Sequence, residues 1–267
     1  RGLAMGIRQT AQPLGVGLGA LVMPQVAQSH GVGAALLFPA AVCAVAAVVC
    51  AVAVSDPHRP PRAEAPAEDL ANPYRGSQTL WRIHAVSVLL VVPQALVWTF
   101  ALVWLMSERG WSAASAGALV TASQILRALG RIAAGRWSDR VGARLRPSRI
   151  IAAAAAASMV LLALTDALDS GWSIAVLIVA SVVTVSDNGL AFTAIAEIAG
   201  PFWSGRALGA QNTSQLLATG LTPPLFGALI GAAGYPLAFV ICALFPVLAI
   251  PLVPADAEEK DSPTTAL

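Results

Sequence analysis

The sequence predicts an all-α integral membrane protein of two pseudo-symmetric helical bundles, the first represented by two helices and the second by six. Three observations lead there. The chain is 57% hydrophobic and 11% charged, with a mean hydropathy of +0.72; a soluble domain carries about a quarter of its residues as Asp, Glu, Lys and Arg. Eight continuous apolar runs approach the length of a membrane crossing, about 20 residues as helix. An internal repeat relates the first run to the seventh. The runs are continuous, not short and alternating as in a β-barrel. Backbone groups facing lipid must be satisfied within the segment, which makes the spans helices.

In chain order the runs cover 5–26, 32–54, 80–106, 112–135, 149–165, 172–198, 207–231 and 236–253. Between the second and third, Pro57, Pro60, Pro61, Pro66 and Pro73 fall among mixed charges with no apolar period. Such a stretch reads as a flexible linker. The expected division is 1–54 for the last two helices of an N-terminal bundle, 55–79 for a cytoplasmic linker, 80–253 for a six-helix bundle and 254–267 for a disordered cytoplasmic tail.

The basic residues set the orientation. One side holds Arg1, Arg59, Arg62, Arg75, Arg82, Arg206, Lys260 and a cluster of Arg136, Arg140, Arg144, Arg146 and Arg149. The other holds Arg109 and His30 with the acids Glu108, Asp166 and Asp169. The positive-inside rule places both ends of the chain in the cytoplasm, with the spans in the cell (inner) membrane. An even number of spans agrees with that.

Chemistry by side chain is sparse. Cys43, Cys50 and Cys242 sit inside apolar runs, and His30, His58 and His84 are scattered. Neither set has a disulfide, metal or nucleophile spacing. No enzyme, cofactor or metal site is expected, and the lack of a phosphate-binding loop argues against a primary pump. The expected partners are the lipid bilayer, a small-molecule substrate and protons as a candidate coupling ion, with no nucleic acid and a monomeric state.

The repeat has a 203-residue offset. Ala4, Gly6, Thr10, Gln12, Leu14, Gly17 and Leu18 fall on Ala207, Gly209, Thr213, Gln215, Leu217, Gly220 and Leu221. Seven identities in fifteen positions exceed the roughly one or two expected by chance from so biased a composition. Both copies start on the cytoplasmic side, so the repeat is parallel about an axis along the membrane normal. By that symmetry a complete first half holds four more spans, on the order of 125 residues.

One polar segment stands out between the fourth and fifth runs, Gly135 to Arg144, GRWSDRVGAR. It reads as a short turn in which Gly135 and Gly142 permit close approach and a sharp reversal. Gly135, Asp139 four positions on, Arg140, Gly142 and Arg144 resemble the signature loop of the major facilitator superfamily. The opening RGLAMGIRQTAQPLG is also similar to the start of the fifth helix in its bacterial members. The resemblance implies the fold of that family, with the chain covering about its fifth to twelfth helices. It implies that spans three, four, six and seven line a central cavity while the second, fifth and eighth support it. It also implies that Glu197 pairs with the loop arginines while Asp139 faces the opposite half.

Candidate residues follow from depth and face. Arg127 and Asp187 each lie fifteen residues into a span running inward, and a pair between them would offset the cost of burying each charge. Such a pair is either a substrate or proton site or a permanent structural bridge. Gln211, Gln215, Thr219 and Thr222 form one face of the seventh span, with Arg8 and Gln12 as the shorter counterpart in the first. Gln94 and Trp98 share a face beside Pro93, a kink site. Gln124 and Asn188 complete the pathway candidates. The conformational set is Gly135, Arg136, Asp139, Arg140, Gly142, Arg144 and Glu197, with Arg8 assisting; Asp139 is expected at the start of the first span, where a helix N-terminus favours an anion.

The function expected is secondary active transport of a small organic solute or drug by alternating access, with proton coupling a candidate. The alternative is a non-transporting sensor or assembly protein on the same fold. A buried Arg suits an anionic solute, Asp187 with Trp98 a cationic one, and glutamine faces a neutral one.

Overall fold

The computed structural model describes residues 2–55, 61 and 63–255. The expectations for Arg1, Pro57, Arg59, Pro60, Arg62, Lys260 and the tail from residue 256 lie outside those residues. Every regular element among the described residues is helical: α1 (Gly2–Gln9), α2 (Ala11–Ala53), α3 (Ala67–Leu70), α4 (Thr79–Ser107), α5 (Ala113–Val141), α6 (Leu145–Ala167), α7 (Trp172–Val183) and α8 (Asn188–Leu252).

Two helices are too long for one crossing. The 43 residues of α2 and 65 of α8 would reach roughly 65 and 100 Å as straight rods, against a hydrocarbon core of about 30 Å. Glycine breaks both. Gly31 (φ 84°, ψ 166°), Gly200 (φ 69°, ψ 178°) and Gly234 (φ 80°, ψ 172°) adopt a region open essentially to glycine. The chain is redirected there within one residue, without a polar loop. The first span is thus α1 with α2 up to Gly31, and the second is the rest of α2. The third to fifth are α4, α5 and α6. The sixth is α7 with the start of α8, and Gly200 and Gly234 divide the remainder of α8 into the seventh and eighth.

Two core layers show the alternation of direction. Leu80, Ile83, Leu145, Ala194, Ile195, Ala207, Ala249 and Val253 share one cluster. Leu96, Trp104, Ala116, Met159, Leu177, Phe226, Phe239 and Cys242 share the other. Starts of the third, fifth and seventh spans therefore meet ends of the sixth and eighth, and the reverse holds at the far end.

Polar ties close each end. Arg109 pairs with Asp166 and Asp169 (2.5 Å each), its guanidinium 5.0 Å over the Trp104 ring, while Trp104 Nε1 donates to Asp166 (3.0 Å). At the opposite end Arg82 Nε donates to the Leu252 carbonyl (3.1 Å) and Arg149 to that of Val253 (2.8 Å). These arginines satisfy carbonyls that a helix C-terminus leaves open. By contrast the second span exposes Val32, Leu37, Val45 and Val52, the last 83% exposed. Such an apolar face suits lipid or further helices.

The segment 135–144 differs from expectation. It is not a short turn: α5 continues through Val141, and only Gly142 (φ 67°) is left-handed, capping the helix. Gly135 lies inside the helix, where its role is contact. A Cβ there would stand 2.5 Å from the Gly2 carbonyl oxygen and 3.3 Å from the Leu3 Cα. Higher up, Gly130 packs on the sixth span, its missing Cβ 2.6 Å from Val182 Cγ1. Small residues permit such close helix crossings.

Gly130→Leu is expected to destabilise the protein by about 1–3 kcal/mol through overpacking. Gly117→Ala in the same helix, where a Cβ meets nothing within 4 Å, is expected to be neutral or to stabilise by up to about 1 kcal/mol. Thermal unfolding in detergent reads both; equal effects would contradict the crossing at Gly130.

Candidate functional site

A cavity of about 200 Å³ lies among the first, third, sixth and seventh spans. Its polar wall is carboxamide, from Gln9, Gln12, Gln94, Asn188, Asn212 and Gln215, completed by Thr219 and the Trp98 ring. The amides are linked: Asn188 Nδ2 donates to Gln94 Oε1 (2.9 Å) and Gln215 Nε2 to Asn188 Oδ1 (3.4 Å). Six pathway candidates, Gln12, Gln94, Trp98, Asn188, Gln215 and Thr219, therefore meet around one space. Gln9 and Asn212 join them, unforeseen.

Two of the four flanking spans, the sixth and the first, are interrupted beside this cavity. Between α7 and α8 the backbone tightens to three-residue bonds, Ser186 N to Val183 O (3.1 Å) and Leu190 N to Asp187 O (2.9 Å). The first span breaks at Thr10, and Pro13, lacking an N–H, leaves the Gln9 carbonyl without its helical donor. Arg131 replaces that donor: Nη1 reaches the Gln9 carbonyl and Nη2 the Gln12 Oε1 at 3.3 Å. Arg131 is 2% exposed and was missed by sequence reasoning. The proline four positions after Gln9 was its signal, but it named no partner.

The expected pair between Arg127 and Asp187 does not form. Gly130 faces Val182 and Ser186, and Ala134 shares a cluster with Leu190. In this register Asp187 sits about one turn from Arg127, toward the end of the bundle that holds Asp139, because counting from span ends ignores the offset of neighbouring helices. Arg127 instead lies with its guanidinium carbon 5.3 Å from the Trp98 centroid. Its Nη1 is 3.5 Å from Gln124 Oε1, and its Nε is buried with no partner. Asp187 Oδ1 is likewise buried without a partner, and the carboxyl faces the Ser148 hydroxyl.

Gln211 belongs elsewhere. It is wholly buried, and its Oε1 meets His84 Nδ1 at 2.6 Å while His84 Nε2 meets the Tyr74 hydroxyl at 2.9 Å. The seventh-span stripe is thus divided. Gln215 and Thr219 line the cavity, Gln211 ties the span to the third span and linker, and the Thr222 hydroxyl bonds back to the Ala218 carbonyl (2.8 Å).

The segment 135–144 forms a second constellation. Asp139 Oδ1 accepts from Gly2 N (3.0 Å) and Oδ2 from Leu3 N (2.7 Å), so the carboxylate caps α1. Arg144 Nη1 donates to Asp139 (2.7 Å), while its Nε and Nη2 reach Glu197 at 3.2 and 3.3 Å. Partial burial raises the Asp139 pKa, but the Leu3 and Gly2 amides and the Arg144 guanidinium outweigh it, holding the group at about 2. Arg144 stays firmly protonated, its desolvation outweighed by Glu197 and Asp139. Arg8 does not assist: its described bond is to Met5 Sδ (3.5 Å), and it borders a separate groove with Glu197. Arg136 and Arg140 are exposed and make no ion pair among the described residues. Helix continuation turns them outward, leaving Arg144 alone for Glu197.

A folded pKa below the ordinary value of 3.8 means stability present above about pH 4 and lost as pH falls toward about 2. The stability difference between the native protein and Asp139→Asn is therefore expected to be constant from about pH 8 to about pH 5 and to shrink below about pH 4. Chemical unfolding across that range checks it.

Comparison with known proteins gives a consistent picture. The major facilitator superfamily model matches residues 1–223. The chain is 58% identical over 254 residues to the uncharacterised MFS-type transporters Rv2994 and MT3072 of Mycobacterium tuberculosis, strains H37Rv and CDC 1551. Those alignments cover 95% of this chain and 57% of each relative, so the chain spans little more than half their length. Among solved structures, the E. coli fucose:proton symporter FucP is similar with a TM-score of 0.64 at 17% identity, over 86% of this chain and 58% of that one. That likeness concerns the fold. With a family model matching residues 1–223, the chain belongs to the major facilitator superfamily.

Proposed function

We propose that the full-length protein is a secondary active transporter that moves a small organic solute across the inner membrane by alternating access. The observation that carries this reading is the carboxamide-walled cavity between interrupted helices. Polar side chains and broken helices deep in a bilayer are costly to a scaffold, whereas a transported solute needs them.

In this reading residues 1–54 end one bundle, 55–79 link it and 80–253 form the other, with both ends of the chain cytoplasmic. The Asp139–Arg144–Glu197 ties to α1 hold the two bundles together on the cytoplasmic side. That closure favours an outward-facing cavity, and rocking of the bundles breaks it. The protein acts as a monomer.

Protons are the proposed coupling ion, and Asp187 their carrier. Its buried carboxyl faces Ser148, whose hydroxyl donates to the Arg144 carbonyl (3.3 Å). Protonation at Asp187 is thereby connected to the residue that ties Asp139 to Glu197.

Reconstituted full-length protein is expected to accumulate substrate under an imposed proton gradient. Asp187→Asn is expected to abolish accumulation, by at least about tenfold, while retaining substrate exchange, since exchange needs no net proton release. Gradient-driven accumulation undiminished in Asp187→Asn would remove Asp187 from the coupling role.

A further inference from the structure

We infer that the cavity binds an organic anion, a carboxylate-bearing solute, with Arg127 as its counter-ion. This deepens the transport reading and rests on it.

The inference starts from an uncompensated charge. Arg127 is 4% exposed, yet its contacts are a 3.5 Å approach to Gln124 and the face of Trp98. A carboxamide and a ring quadrupole compensate a guanidinium only partly, and no carboxylate pairs with it among the described residues. Arginine cannot shed its proton readily, so the site is incomplete without an anion.

The neighbourhood is biased the same way. Arg131 follows one turn later in α5 and is held by neutral acceptors, the Gln9 carbonyl and the Gln12 amide, with its own Nε unpartnered. Asp187, about one turn from Arg127, does not line the cavity and faces Ser148 instead. Trp98 lines the cavity while stacking on Arg127, and Gln12 lines it while bonding Arg131. Each cation therefore adjoins the cavity through a single side chain.

The wall can complete such a site. Carboxamides have both N–H donors and carbonyl acceptors, and can turn their donors toward an oxyanion. With Trp98 between it and the cavity, Arg127 acts on a bound anion through its charge in a low dielectric. A cationic solute would face two buried arginines in a low dielectric, where like charges repel strongly.

The test uses detergent-purified full-length protein with three size-matched probes: benzoate, benzamide and benzylamine. Lactate and citrate extend the carboxylate arm. The readout is the concentration-dependent shift of thermal unfolding, which reports affinity by linkage. At least one carboxylate is expected to bind saturably while benzamide and benzylamine do not. Arg127→Gln is expected to weaken that binding at least tenfold, and Arg127→Lys to retain part of it. The unliganded unfolding midpoint of each variant reports whether the fold is intact. Equal or tighter binding of benzylamine, carboxylate binding unchanged in a folded Arg127→Gln, or no binding of any carboxylate would each overturn the inference. Counterflow in vesicles separates the two claims: binding without flux contradicts transport alone, whereas flux of a cation without carboxylate binding contradicts the anion site alone.

Discussion

A single carboxylate organises one end of this molecule, where α1 meets the end of α5. Asp139 accepts the first two amides of α1, and it reaches them only because Gly2 and Gly135 let two helices touch backbone to backbone. A side chain at either position would push the helices apart by more than a hydrogen bond tolerates. Arg144 holds the carboxylate from the other side and carries the tie onward to Glu197 in the sixth span. Three spans of the fold thus converge on one acid, and the first span takes its position against α5 from that contact.

Deeper in the bundle the same logic of satisfying polar groups governs the cavity. Pro13 removes a donor, Arg131 supplies another, and the guanidinium then fixes Gln12 at the cavity wall. The interruption at Asp187–Asn188 turns Asn188 toward Gln94 and Gln215. Buried polar groups in lipid must find partners, and here the partners assemble the wall. Arg127 is one of the exceptions, held by a ring and a distant amide with its Nε unpartnered.

Much of the fold was legible. The eight apolar runs anticipate the helices, and the glycine and aspartate spacing of 135–144 points to the family. The span divisions at Gly31, Gly200 and Gly234 were also close to expectation. Six of the cavity residues were among the candidates, five of them because helical spacing places side chains on one face. What escaped were matters of register between helices. Periodicity reports the face of one helix, not the height of its neighbour, so Arg127 and Asp187 were paired when one turn separates them. Arg131 and Gln9 were missed because their bond depends on a contact 122 residues apart in sequence. Gln211 carried the right pattern and the wrong role, since His84 lies across a helix interface invisible to a single-helix reading.

Asp139 fastens α1 to the end of α5, and we propose that this bond is released when the two helical bundles rock. The most direct measurement is the distance between spin labels at Ile7→Cys and Arg140→Cys, both exposed positions, in full-length protein with Cys43, Cys50 and Cys242 replaced by serine. A narrow, short distance at rest that broadens and lengthens in Asp139→Asn is expected. An identical distribution in the native background and in Asp139→Asn would contradict it.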